Sequence, residues 1–257
     1  MQTLALKLLV TPLLIGAATL VGRRWGQAVG GWLVGLPLTS GPVAFFIALD
    51  HGAAFGAGAA VGSLRGLAAE ASFCVGYSWC ARRAGWPLCF VGGSIAFALV
   101  GLLMQALSLP TVLLVGVVIG GLLLALRLLP QFADAPVAVT PPRWDLPARM
   151  VAATSLVLAL TSAAQWLGPE LSGLISTFPL FGSVLAVFAH RALGTHAALN
   201  ALRGLLLGLF SFAAFFIALD AAIERLGTGP GFIAATAAAL AVQTASLLLA
   251  RSSLRRI

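Results

Sequence analysis

The apolar run from Val29 to Leu49 is interrupted at its centre by Gly35-Leu36-Pro37-Leu38-Thr39-Ser40-Gly41-Pro42. The two prolines remove backbone donors and clash with the preceding turn, and the two glycines loosen what remains, so no straight helix passes through. In hydrocarbon a freed carbonyl or amide finds no partner, so such a break has to face protein or a wet cavity. A related break, Phe178-Pro179-Leu180-Phe181-Gly182-Ser183, interrupts a second apolar run. Two discontinuous helices in matching places are the best sequence-level pointer to a transporter's binding site.

The breaks matter because their surroundings are membrane-like. The chain has 257 residues, of which 60% are hydrophobic and 9% charged, and its mean hydropathy is +1.05. Soluble domains carry about 25% charged residues. Apolar runs of about 20 residues recur from end to end, which predicts an all-α polytopic membrane protein. The period-2 alternation that a β-barrel needs is absent. A net charge of +8 would suggest nucleic acid in a soluble protein. Here the basic residues cluster at the ends of apolar runs, as topology signals do, so no nucleic-acid partner is expected. Cys74, Cys80 and Cys89 show no CxxC spacing and read as small buried hydrophobes. No metal or cofactor is expected either.

Nine membrane segments follow, at about residues 4–22, 28–49, 54–81, 87–107, 110–129, 148–167, 171–189, 197–219 and 232–250. The second and seventh are discontinuous. The span 130–147, with Pro130, Pro136, Pro141, Pro142 and Pro147, reads as a stiff extended linker on the cytoplasmic side. With the N-terminus outside and the C-terminus inside, Arg23/Arg24, Arg82/Arg83, Arg127/Arg143/Arg149, Arg191 and Arg251/Arg255/Arg256 all fall inside. Only Lys7 and Arg225 dissent from the positive-inside rule. This bias suits a bacterial inner membrane, and no cleavage site marks the first segment as a signal peptide.

An internal repeat accounts for the matching breaks. At an offset of 142 (179 − 37), Lys7 meets Arg149, Gly26 meets Gly168, Gly31 meets Gly173, Pro37 meets Pro179 and Phe46 meets Phe188. The match Leu64-Arg65-Gly66-Leu67 to Leu202-Arg203-Gly204-Leu205 implies a change of offset to 138 (203 − 65). Segments one to four then correspond to six to nine, with segment five between them. The odd number of crossings per step inverts the second copy, a 4+1+4 inverted repeat. The domains are 1–129, the first four-helix repeat with the connecting fifth helix; the linker 130–147; and 148–257, the second repeat.

Arg65, Glu70 and Arg203 lie within predicted spans, and each buried charge costs about 2.5–3.5 kcal/mol on insertion scales. Arg65 and Glu70, five residues apart, do not make a good intrahelical pair. The sharp expectation is a central cavity flanked by Arg65 and Arg203 and walled by Thr39-Ser40-Gly41 and Gly182-Ser183, with the breaks at Pro37, Pro42 and Pro179. Such a site is net positive and favours a small carboxylate or phosphate-bearing solute, with Glu70 as the proton-coupling candidate. The bland alternative gives these charges and hydroxyls to freed backbone groups.

The expected function is therefore secondary transport, with lipid and a small-molecule solute as partners and room for a homodimer. Competing readings are a non-catalytic membrane assembly or lipid-handling protein and an intramembrane serine hydrolase using Ser40. No GxxxxGK[ST], HExxH or GxSxG motif is present, so neither ATP coupling nor either hydrolase signature is read here.

Overall fold

The fold is that of a computed structural model, which describes residues 2–37, 40, 41, 44, 45, 48, 52–107, 109–130, 144–152, 154, 155 and 177–254. Thr39 and Pro42, most of the sixth segment and the first half of the seventh lie outside them. All secondary structure among the described residues is helical, with no strand. The helices with both bounds described are α1 Gln2–Trp25, α2 Gln27–Val34, α3 Ala53–Cys80, α4 Trp86–Ala106, α5 Thr111–Leu128, α6 Leu180–Leu193, α7 Thr195–Leu226 and α8 Thr228–Leu254.

Three of them, α4, α5 and α7, are long and apolar enough to cross a membrane. Residues such as Leu88, Val91, Ile95 and Leu99 on α4 and Val112 and Leu124 on α5 are exposed, as lipid-facing positions should be. Trp25, Trp79, Trp86 and Trp144 are also exposed, and each lies at or beside a helix end, where amphipathic rings sit at an interface.

Helix α7 is the hub, packing against α2, α3, α5, α6 and α8, while α3 also packs against α4 and α5. Small residues let backbones meet where there is no hydrophobic drive between helices. A Cβ on Gly31 of α2 would lie 1.9 Å from the Ala201 carbonyl oxygen, and one on Gly204 of α7 1.8 Å from that of Ala28. Gly35 and Gly208 meet in the same way, a Cβ on the first lying 2.5 Å from the Cα of the second. One large core joins α3, α4, α5, α7 and α8. A smaller one joins Ile15 and Ala18 of α1 to Leu180, Val184 and Leu185 of α6.

Sharp connections come from glycine. Gly26, Gly52, Gly194 and Gly227 hold φ of 98°, 92°, 87° and 83°, a region closed to most residues with a Cβ, and each directly precedes a helix. Gly52 and Gly194 precede α3 and α7 at the 142 offset seen in sequence. Gly85 and Gly227 precede α4 and α8 at the same offset.

The structure differs from the sequence expectation in three places. Helix resumes at Asp145, not at Ala148, because an acidic residue suits a helix start and a proline such as Pro147 is tolerated in the first turn. Helix α7 runs on to Leu226, so Glu224 and Arg225 sit in its last turn rather than in a loop. Gly66 packs tightly against Thr177, whereas Gly58 and Gly62, which four-residue spacing in the sequence places on the same small-residue face, are exposed.

Candidate functional site: two helix breaks

At the first break α2 ends at Val34, with Gly35 as its C-cap. In an unbroken helix the Trp32 carbonyl would accept from the Leu36 amide. That amide instead donates to the Leu33 carbonyl, at 3.3 Å, and helical bonding resumes with the Gly41 amide on the Pro37 carbonyl at 2.9 Å. The Trp32 carbonyl is taken by the side-chain amide of Gln243, at 3.1 Å. The Ser211 hydroxyl donates to the Gln243 Oε1, and the Trp32 indole donates to the Ser246 hydroxyl at 2.9 Å. A buried network from α7 and α8 thus meets the need that the break creates.

The second break is finished differently. The Leu180 amide turns back to the Phe178 carbonyl, and the Ser183 amide takes the Pro179 carbonyl, both at 2.7 Å. The Phe178 ring sits among Phe73, Phe90 and Phe97, at centroid separations of 5.8, 6.1 and 5.3 Å and nearly perpendicular to each. Edge-to-face pairs of this kind add about 0.5–1.5 kcal/mol each beyond burial. The backbone comes close as well: a Cβ on Gly66 would lie 2.3 Å from the Thr177 hydroxyl oxygen.

The residues singled out in sequence separate around this frame. Pro37 follows the end of α2, and Pro179 is the N-cap of α6, with residues 156–176 outside the described ones. Gly41 is buried against the Phe215 ring, and Gly182 against Leu205. The Ser183 hydroxyl donates to the Leu180 carbonyl at 2.9 Å. The buried Ser40 hydroxyl has no hydrogen-bond partner among the described residues, and neither does the Arg65 Nε. Glu70 lies one turn from Gly66 and one turn from Phe73, on the α3 face turned to the second break. It has no ion pair among the described residues. Arg203 is exposed on α7, away from its buried neighbours Leu202, Gly204, Leu205 and Leu206. A helix repeats every 3.6 residues, so a matched four-letter word does not tell which face a residue takes.

Four features were not read from sequence. Gln243, the acceptor-and-donor hub of the first break, was visible as a lone amide in the apolar run 232–250. The phenylalanine cage joins residues up to 105 positions apart (178 − 73), and sequence offers no signal for it. Below the cage the Tyr77 hydroxyl meets His190 Nδ1 at 3.1 Å, and the Thr195 hydroxyl meets Nε2 at 3.2 Å. Finally, Arg23 and Arg149 converge on Asp145. No group of three or more metal-ligating side chains occurs among the described residues.

Chemically, the middle turns of α3 carry a carboxyl group with no ion pair and a guanidinium Nε with no hydrogen-bond partner among the described residues. Compared with the profiles of known families, with curated proteins and with solved structures, the chain matches none.

Proposed function

We propose that this chain is an inner-membrane secondary transporter that moves a small anionic organic solute, carboxylate or phosphate-bearing, by alternating access between two inverted repeats. In this reading nine crossings run from an outer N-terminus to a cytoplasmic C-terminus, residues 1–129 and 148–257 carry the two halves, and Pro130–Pro147 links them.

One observation carries the proposal. Gly66 meets Thr177, and Gly208 meets Gly35; adding 142 to one member and subtracting it from the other turns the first contact into the second. Contacts that exchange in this way are what a two-fold relation between halves produces. The same offset relates the hydrogen bond from Gly41 to Pro37 and that from Ser183 to Pro179. It also relates the T-shaped pair Phe73–Phe90 to Phe215–Phe232. A single offset of 142 covers all of these, so the four-residue change inferred from Leu-Arg-Gly-Leu is not needed. Four residues are one helical turn, and such a slip leaves nearly the same face presented. Halves related in this way can exchange roles about a shared site, which is the physical basis of alternating access.

Arg65 supplies the cation for the solute, and Ser40 and Gly41 line the first break's side. Glu70, beside the second break, carries the coupling proton. Arg203 is left out of the site.

The test uses purified protein in liposomes loaded with a pH dye, challenged with lactate, malate or glycerol 3-phosphate under an inward proton gradient. At least one solute should drive proton uptake in wild type. Arg65→Gln should lower that flux at least tenfold, and Glu70→Gln should keep solute exchange while losing proton movement. Folded wild-type protein that moves none of the three, or an Arg65→Gln variant as fast as wild type, sinks the reading.

A further inference from the structure

The end of the molecule where α1 stops holds a second cluster of charge, separate from the breaks. Asp145 accepts from Arg23 Nη2 at 2.8 Å and from Arg149 Nε at 3.0 Å. Side-chain exposure is 2% for both Asp145 and Arg149, and 29% for Arg23. The Arg149 guanidinium carbon lies over the Phe188 ring of α6, 5.1 Å from its centroid. Arg149 Nη1 is buried and has no hydrogen-bond partner among the described residues. One turn before Arg23, on the same α1 face, the buried Thr19 hydroxyl also lacks a partner among the described residues.

Two guanidiniums and one carboxylate leave this junction with a surplus positive charge. A buried charge that is not balanced and fully hydrogen-bonded is costly, and an orphaned buried donor calls for a physical account. We propose that the junction of Arg23, Asp145 and Arg149 with α6 is a binding site for a phosphate group, with Arg149 Nη1 as its central donor.

The chemistry selects that class. A phosphate presents several acceptor oxygens on one tetrahedral centre, so it can serve Arg149 Nη1, the remaining N–H groups of Arg23 and the Thr19 hydroxyl together, and arginine's planar fork favours it. The Asp145 carboxylate repels an anion, but it is already engaged by both arginines and orients them. Arg23, which reaches the surface, is the way in. The surroundings set the depth. Arg24 lies over the exposed Trp25 at 5.5 Å, and Arg191 over the exposed Trp144 at 5.4 Å. Tryptophan stacked with arginine at helix ends belongs at the level of lipid headgroups, where lipid phosphates also lie. The phosphate's source is either a lipid headgroup or a soluble phosphate ester. The site does not depend on the transport reading.

The full chain, purified and delipidated in detergent, is titrated with dioleoyl phosphatidylglycerol, with dioleoylglycerol (the same acyl chains without phosphate) and with glycerol 3-phosphate, following thermal unfolding by tryptophan fluorescence. Phosphatidylglycerol should raise the unfolding temperature and dioleoylglycerol should not; an equal response to glycerol 3-phosphate assigns the soluble source. Arg149→Lys should weaken apparent affinity about tenfold, the loss of one charge-assisted hydrogen bond, and Arg149→Met should abolish the response. Arg127→Gln, on an exposed position of α5, should leave it unchanged. If the Arg149 variants do not fold, Arg23→Gln reads the same site from its surface member, with an expected severalfold loss. No response of wild type to either phosphate compound, or an undiminished response in Arg149→Met and Arg23→Gln, overturns the proposal and leaves the cluster an internal ion pair.

Discussion

At the first break the Trp32 carbonyl, deprived of its helical donor, is taken by the Gln243 amide, which Ser211 holds in turn. At the second, Phe178 is enclosed by Phe73, Phe90 and Phe97. The two share a frame: a proline carbonyl that starts the next helix, and a T-shaped phenylalanine pair from the two following helices. They differ at single positions. Counting by 142, Gln243 corresponds to Gly101 and Phe178 to Leu36. A hydrogen-bonded amide has one good geometry, whereas aromatic contacts keep most of their energy as rings slide and tilt. In the proposed transport cycle the first break is the fixed element and the second the one that moves.

Five substitutions test this contrast, in decreasing order of expected effect. Gly31→Ala places a Cβ 1.9 Å from a carbonyl of α7, and backbone cannot step aside there. It should remove the protein from the folded peak in size-exclusion chromatography. At the second break a Cβ on Gly66 meets first the Thr177 side chain, so Gly66→Ala should still yield folded protein; equal loss from both would erase the distinction between a fixed and a yielding contact. Phe73→Ala opens a cavity in the fully buried centre of the cage and should cost on the order of 3 kcal/mol in equilibrium unfolding from detergent.

Gln243→Leu strands the Trp32 carbonyl and the Ser211 hydroxyl, a loss of about 1–3 kcal/mol. Combined with Phe73→Ala it should add, because separate sites without shared partners are independent. Strong coupling between them would show that the breaks are one unit. Tyr77→Phe removes only the hydroxyl on His190 and should cost about 1 kcal/mol in the same measurement.

Much of the fold is present in local pattern. The apolar runs mark α3, α4 and α5 to within a residue or two, since the need to satisfy backbone in lipid leaves helix as the solution. Pro37 and Pro179 mark the interruptions, because a missing donor and a steric clash act wherever the residue sits. The linker's end was misplaced at Ala148 because Pro147 marks a helix start as readily as a break. The site was less legible. Arg65, Glu70 and Arg203 looked equivalent as charges in apolar runs, yet Arg65 and Glu70 are half-buried and Arg203 is exposed.

By itself the sequence determined where helices run and where they cannot run, since both depend on residues close together along the chain. Only the tertiary structure decided which donor reaches the Trp32 carbonyl, which rings enclose Phe178 and which arginine is buried with Asp145. Those choices depend on the rotation of each helix about its own axis, and that rotation is set by glycine contacts between elements far apart in the chain, such as Gly31 with Ala201 and Gly66 with Thr177.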